Sequence, residues 1–338
     1  PGRRKRSALG IAVVALVTVV SVLAVRSNVP DLDSSGVLLS GDPSDSLLLA
    51  EVARGLLQRD RTLNPTTDPV GSRARYSVSV QSFSIADSIR LEVVLTDAST
   101  GSRLRAIRPV LSSRPVAPGA VRLLVDRLAV ALATYRDPIF ANWAPAAEMP
   151  DSWESFEQIA LGIRALFANG EGTTSHFGDA AILDSTNATA LLFQAYIAEE
   201  DGPPANSDSI LEVAERPGRR FGPYERALSE LVKAWNRKDI AGAHTAGHRL
   251  LEVVPQSEWA YMVALDAISL GRFREAVELT DRVREKPGWT ANWQYGVIIR
   301  DVALHLLGDF PKELELAREA LRVEPDNRLY LQLESKAL

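Results

Sequence analysis

The chain contains no cysteine in 338 residues. That excludes a disulfide framework and any thiolate metal site, while leaving the compartment open, since an oxidising space tolerates cysteine-free chains too. Histidine is scarce, with four residues. Two of them, His244 and His248, stand one helical turn apart, but the intervening Thr245-Ala246-Gly247 supplies no general base, so the pattern is not H-E-x-x-H. The chain offers no identifiable third ligand, and structural zinc sites take four. The pair therefore reads as partly exposed helix-face histidines, and neither a metal nor any other cofactor is expected. Also missing are G-x-S-x-G, a kinase catalytic loop and D-F-G. Gly242 and Gly247 lie in a Gly- and Ala-rich helical stretch, not before a G-K-[ST], so no phosphate loop is present. Without these constellations the chain is expected to be no enzyme and to take no small-molecule substrate.

Positive charge is short beyond the first 26 residues. Five of the 38 Lys and Arg (Arg3, Arg4, Lys5, Arg6 and Arg26) fall there, which leaves 33 against 43 Asp and Glu, a net −10. So acidic a body, whose one basic cluster is Arg216, Arg219 and Arg220, is a poor nucleic-acid binder.

What the chain does have begins with an uncharged run, Ala8 to Val25, behind four cations. As a helix it would rise about 27 Å, close to the ~30 Å of a bilayer core. The positive-inside rule then predicts a single-pass inner-membrane protein, N-terminus cytoplasmic and residues 27–338 periplasmic. A cleaved secretory signal has the same layout, with Val22-Leu23-Ala24 as its cleavage site, and would leave a soluble secreted binding protein. Pro1 fits a trimmed mature start or the tail of a longer chain.

Further on, Gly36–Leu39 predicts a short strand and Ser44–Gln58 an amphipathic helix begun at Asp42-Pro43-Ser44. Residues 60–73, with Pro65, Pro69 and Gly71, read as a loop. Tyr76, Val78 and Val80 alternate with polar residues, as do Leu91, Val93 and Leu95, and a third run spans Arg103–Val110. Turns at 86–88 and 97–101 make this an antiparallel meander, which the apolar helix predicted over 118–135 is suited to cover. The stretch SVQSFSIADSIRLEVVLTDASTGSRLRAIRPV with that helix resembles the end of a TolB-like α/β domain. In bacteria such domains precede tetratricopeptide repeats in one-pass serine/threonine kinases, adenylate cyclases and transcriptional regulators. The chain departs from the pattern between Asp60 and Ser72, where a middle strand and helix are absent.

Residues 137–150, with three prolines, read as a linker and domain boundary. From Asp151 the chain is helical and repetitive. LGRFREAVELTDRVREKP carries Gly271, Phe273, Ala276 and Pro287; LGDFPKELELAREALRVEPDN carries Gly308, Phe310, Ala320 and Pro325; an upstream copy is RKDIAGAHTAGHRLLEVVP. Aligning Lys238, Gly271 and Gly308 gives spacings that bracket the 34-residue tetratricopeptide period. Two degenerate units precede them, and a loop at 201–223 distorts the array. Trp289, Trp293 and Tyr295 cluster at one junction as candidate interface anchors.

The expected fold class is α+β then all-α: a transmembrane anchor (1–26), a small TolB-like α/β domain (27–136), a linker (137–150) and a tetratricopeptide-like solenoid (151–338). The expected role is a membrane-anchored periplasmic scaffold, an extrinsic structural subunit that binds a membrane protein complex. The alternative is the sensory half of a one-pass kinase, cyclase or regulator.

Overall fold

The computed structural model describes residues 32–70, 72–167, 173–201, 204–284 and 294–338. They divide into two compact units at Val121/Arg122.

Unit 1 is a five-stranded sheet in the order β2-β1-β3-β4-β5. The strands are β1 (Asp33–Ser40), β2 (Asn64–Thr66), β3 (Ala74–Ile85), β4 (Ser88–Asp97) and β5 (Ser102–Ser113), with α1 (Ser46–Arg59) between β1 and β2. The expected meander is β3-β4-β5, antiparallel throughout. The sheet is nevertheless mixed, because β1 runs parallel to both β2 and β3. Residues 64–66, read as loop, form β2; three residues carry no periodicity, and only the partner β1 makes them a strand. Alternation decides the faces: Tyr76, Val78, Val80, Leu91, Val93 and Leu95 are buried together with Leu49, Val52 and Leu56 of α1. The 97–101 turn forms because the Asp97 carboxylate accepts from the Ser99 N–H at 2.8 Å and Gly101 takes a φ of 67°.

The unit boundary falls inside α2 (Pro118–Arg136). Unit 2 continues through α3 (Trp153–Phe167), α4 (Thr173–Leu183), α5 (Thr189–Asp201), α6 (Pro204–Ala214), α7 (Pro223–Asn236), α8 (Ile240–Val253), α9 (Trp259–Ser269), α10 (Phe273–Arg284), α11 (Gln294–Leu307), α12 (Phe310–Val323) and α13 (Arg328–Ala337). Successive helices pair from α3/α4 to α11/α12, and α13 closes against α12. First helices of neighbouring pairs also touch, α5 with α7 and α9 with α11. The segment expected to distort the array instead forms α6, opened by Pro204 in the first turn, where its missing N–H is harmless.

Residues 137–150 are not a linker. Asp137 caps one turn of helix at Pro138–Ala141, accepting from the Ile139 N–H at 3.0 Å, and the prolines start turns instead of holding the chain extended. Phe140, Trp143 and Ala144 are fully buried in unit 2. The Trp143 ring stacks 5.7 Å from Tyr224 and meets Phe193 edge-on at 5.2 Å. Just beyond, Arg127 of α2 holds Asp151 through two hydrogen bonds of 2.7 and 3.0 Å, and Arg220 bridges Asp151 to Asp184.

Among the described residues no helix is long and apolar enough to cross a membrane. The longest, α2 with 19 residues, carries Arg122, Asp126, Arg127 and Arg136. This corrects the single-pass fold class. With it go the membrane anchor, the inner-membrane and periplasmic localisation, the membrane-complex partner and the extrinsic-subunit role, all of which needed a spanning helix. Residues 8–25, on which that expectation rested, lie outside the described residues.

Candidate functional site

The aligned loop positions of the repeats share one backbone device. Lys238, Gly271 and Gly308 all adopt left-handed φ, at 57°, 73° and 77°. In each, the following N–H reaches a carbonyl five residues back: Asp239 to Ala234 at 3.0 Å, Arg272 to Ala267 at 2.8 Å, Asp309 to Leu304 at 3.0 Å. This is the Schellman closure that ends a helix and reverses the chain. A side chain at Gly271 or Gly308 would meet nothing within 4 Å, so the glycines serve the backbone angle and not close packing.

A row of side chains, two buried and two half-buried, runs across the first helices. Tyr196 of α5, Trp235 of α7 and Met262 of α9 form a row across three consecutive pairs. The Tyr196 ring lies 5.6 Å from Trp235, and its hydroxyl is 3.8 Å from the Met262 sulfur. Beside them Asp266 of α9 is buried, and the Trp235 indole N–H donates to both of its carboxylate oxygens at 3.2 Å. Burial pushes the Asp266 carboxyl up to about 6, against which the indole hydrogen bond works only weakly. Leu265, next to it, is exposed.

A second cluster joins the second helices of neighbouring pairs. His244 and His248 of α8 face Glu275 of α10. The Glu275 Oε1 lies 2.7 Å from His248 Nε2 and 3.1 Å from His244 Nε2, and the two imidazole Nε2 atoms are 3.3 Å apart. His244 is buried, contrary to the helix-face reading, while His248 and Glu275 are half-buried. Arg272 sits alongside, its Nη1 3.5 Å from His244 Nδ1 and 3.6 Å from Glu275 Oε2. An open cleft of about 620 Å³ begins at His248 and Glu275 and is lined further by Arg272, Phe273, Glu278 and Leu307. Gly247 brings α9 close to α8 here: a Cβ would stand 2.5 Å from a Val263 methyl.

A third cluster sits where the last pair breaks the pattern. Five residues beyond the turn, the first two clear repeats have the buried Ala243 and Ala276; the third has the fully buried Glu313. Seven residues before it, Leu231 and Ala264 give way to Asp301, also buried. Lys336 of α13 reaches both carboxylates, at 2.8 Å to Asp301 and 3.1 Å to Glu313, and His305 Nδ1 lies 3.0 Å from Glu313. Burial raises the Asp301 carboxyl above its ordinary value despite that lysine.

Of the repeat-defining residues, Gly271 and Gly308 form the turns, Ala276 is buried, and Phe273 opens α10 half-buried. Phe310 is half-exposed with its ring edge on His305, Ala320 packs against the small Ala317–Tyr330–Leu333 cluster, and Pro325 is exposed in the turn after α12. Tyr295 is exposed on α11. Pro287, Trp289 and Trp293 lie outside the described residues. Nothing in the sequence singles out Glu275, Trp235 or Asp266. They stand among many helical carboxylates and aromatics, and only the packing of neighbouring pairs brings them to their partners.

No protein-family model and no curated protein matches the chain. Among solved structures it is similar to a tetratricopeptide repeat protein from Parabacteroides merdae ATCC 43184. The two are 13% identical over 54% of this chain and 72% of that one, with a TM-score of 0.34. The fold is a mixed-sheet α+β unit followed by helix pairs whose reversing turns recur near the tetratricopeptide period.

Proposed function

We propose that the chain is a non-catalytic protein-interaction module whose partner segment lies along the first helices of its repeats. The observation that carries this reading is the row Tyr196, Trp235, Met262 and Asp266, which spans three consecutive pairs. Trp235 and Met262 are half-buried, with the buried Tyr196 packed against both, and aromatic side chains such as Trp dominate interaction hot spots. Asp266 adds charge: it is a buried carboxylate with no ion pair among the described residues. A basic side chain from a partner would neutralise it, in keeping with the acidic body.

The likeness of unit 1 to a shortened TolB-like domain is supported by the β3-β4-β5 meander and the turn at Asp97–Gly101. Under that reading unit 1 is a second recognition element in the same chain.

The test places a photo-crosslinking phenylalanine analogue at Leu265 on α9 or at Ile182 on α4, both exposed, in the organism of origin. A single adduct of defined mass from Leu265, absent from Ile182 and lost with Asp266→Lys, is the expected result. Adducts from Ile182 alone, or none from either, would discard the first-helix surface.

A further inference from the structure

We infer that His244, His248 and Glu275 form a binding site for one divalent transition-metal ion of the zinc class. The ion would staple the second helices of two adjacent repeats. Three observations carry this. The donor types are right, since two imidazoles and one carboxylate make the His₂Glu set of three-ligand zinc sites that keep a fourth position open. The spacing is right as well. A tetrahedral ion with bonds of about 2.05 Å needs donors about 3.3 Å apart. The Nε2–Nε2 separation is 3.3 Å and the His244–Glu275 separation 3.1 Å. The His248–Glu275 pair, at 2.7 Å, has to open by roughly half an ångström, and both side chains border the cleft, where there is room to move.

The third observation is that the ligands are held by structure instead of converging by chance on a mobile surface. His244 and His248 share a helix face because four residues make about one turn. The αL turn at Gly271 fixes the start of α10, four residues before Glu275. Gly247, on α8 between the histidines, lets α9 approach α8 closely and so sets where α10, its pair partner, begins.

Arg272 is the element that opposes the ion. Its guanidinium pairs with Glu275 Oε2, on the oxygen away from the imidazoles, and lies against His244 Nδ1. An imidazole bound through Nε2 carries its proton on Nδ1, which an arginine cannot accept. Loading therefore requires Arg272 to turn out, and its half-exposed side chain borders the same cleft. The open fourth position faces that cleft and would hold water or a donor from a bound segment.

The ligand set also explains the sequence pattern. H-x-x-x-H alone is short of a third ligand, and Glu275 is 27 residues beyond His248, on a helix whose place against α8 only the stacking of repeats decides. The site goes beyond the interaction surface proposed above, which uses the first helices and none of these residues, so either can fail alone.

The experiment is calorimetric titration of the purified, chelator-stripped full chain with Zn²⁺, paired with the visible spectrum of the Co²⁺-loaded protein. The expected result is one ion per chain and a low-coordinate Co²⁺ spectrum. His248→Ala and Glu275→Gln should each weaken binding at least tenfold, while His176→Ala leaves it unchanged, because His176 pairs with Gln158 elsewhere. Glu275→Gln keeps the side-chain shape and one acceptor oxygen while removing the charge, and circular dichroism of each variant shows whether it stays folded. Zinc should also slow amide exchange in α8 and α10 in the wild-type chain and not in Glu275→Gln. Absence of stoichiometric binding, or binding unchanged in both ligand variants, overturns the site and leaves a hydrogen-bonded trio between two helices.

Discussion

At the scale of single residues, two positions work against stability. Asp266 is buried with an indole as its hydrogen-bond donor, and its folded pKa of about 6 lies well above the ordinary 3.8. Between those values the folded state holds more protons than the unfolded one, so stability falls as pH rises from about 4 to 6 and stays lowered above. At about 1.4 kcal/mol for each pH unit between the two values, the loss is roughly 3 kcal/mol at the upper bound. Asp266→Asn keeps an oxygen for the Trp235 N–H and removes the charge. Its melting temperature should exceed wild type at pH 7.5 and match it near pH 4, as read by circular dichroism at both. Lys238 is the second position, a side chain at φ 57° where the sister turns have glycine. Lys238→Gly should raise stability by about 0.5–1 kcal/mol, and Gly271→Ala or Gly308→Ala should lower it by about 1 kcal/mol, in urea titrations. Both glycine turns are legible from the repeat alignment. That lysine takes the same conformation is not, because a non-glycine residue gives no local sign of left-handed φ.

At the scale of elements, α13 is held by charge as much as by apolar contact. Asp301 and Glu313 are buried where the preceding repeats have Leu231, Ala264, Ala243 and Ala276, and Lys336 compensates both. Removing one partner of a buried pair is costly because the other is left uncompensated. Lys336 is itself partly in water, so Lys336→Met should cost about 2–3 kcal/mol. Hydrogen exchange should place the loss in α13 and in the facing parts of α11 and α12. Adding Glu313→Ala, which restores the residue of the other repeats, should return a good part of it. An unchanged exchange pattern in Lys336→Met would mean that α13 docks by Tyr330 and Leu333 alone.

At the scale of the whole molecule, the boundary lies earlier than the proline-rich stretch suggested. Phe140, Trp143 and Ala144 belong to the core of unit 2, and Arg127 of α2 clamps Asp151. A fragment of residues 118–338 should melt cooperatively, whereas one of 151–338 should be poorly soluble or melt far lower, because it exposes the faces of Phe193 and Tyr224 that Trp143 covers. The Asp151–Arg220–Asp184 cluster adds an acid limit. Burial alone would raise the Asp184 carboxyl, but hydrogen bonds from Arg220, the Asp151 N–H and Thr186 outweigh it and hold it at about 2. The unfolded state binds that proton first, so the contribution, roughly 2 kcal/mol, is complete above about pH 4 and is lost as pH falls through 2. Asp184→Asn should therefore flatten the acid limb of a urea-midpoint profile against pH.

Without its tertiary structure, the chain already determines a good deal. Alternation at Tyr76–Val80 and Leu91–Leu95 specifies strands with one buried face, and the spacing of Lys238, Gly271 and Gly308 specifies helix pairs, since both signals are periodic and local. Three matters were decided only in the folded chain. The parallel pairing of β1 and β2 joins Gly36 to Asn64, and 137–150 become core because aromatic rings from distant helices surround Trp143. Glu275 meets His244 and His248 only because the repeats stack. Local periodicity reports which face of an element is buried; what that face meets is set by contacts between residues far apart along the chain.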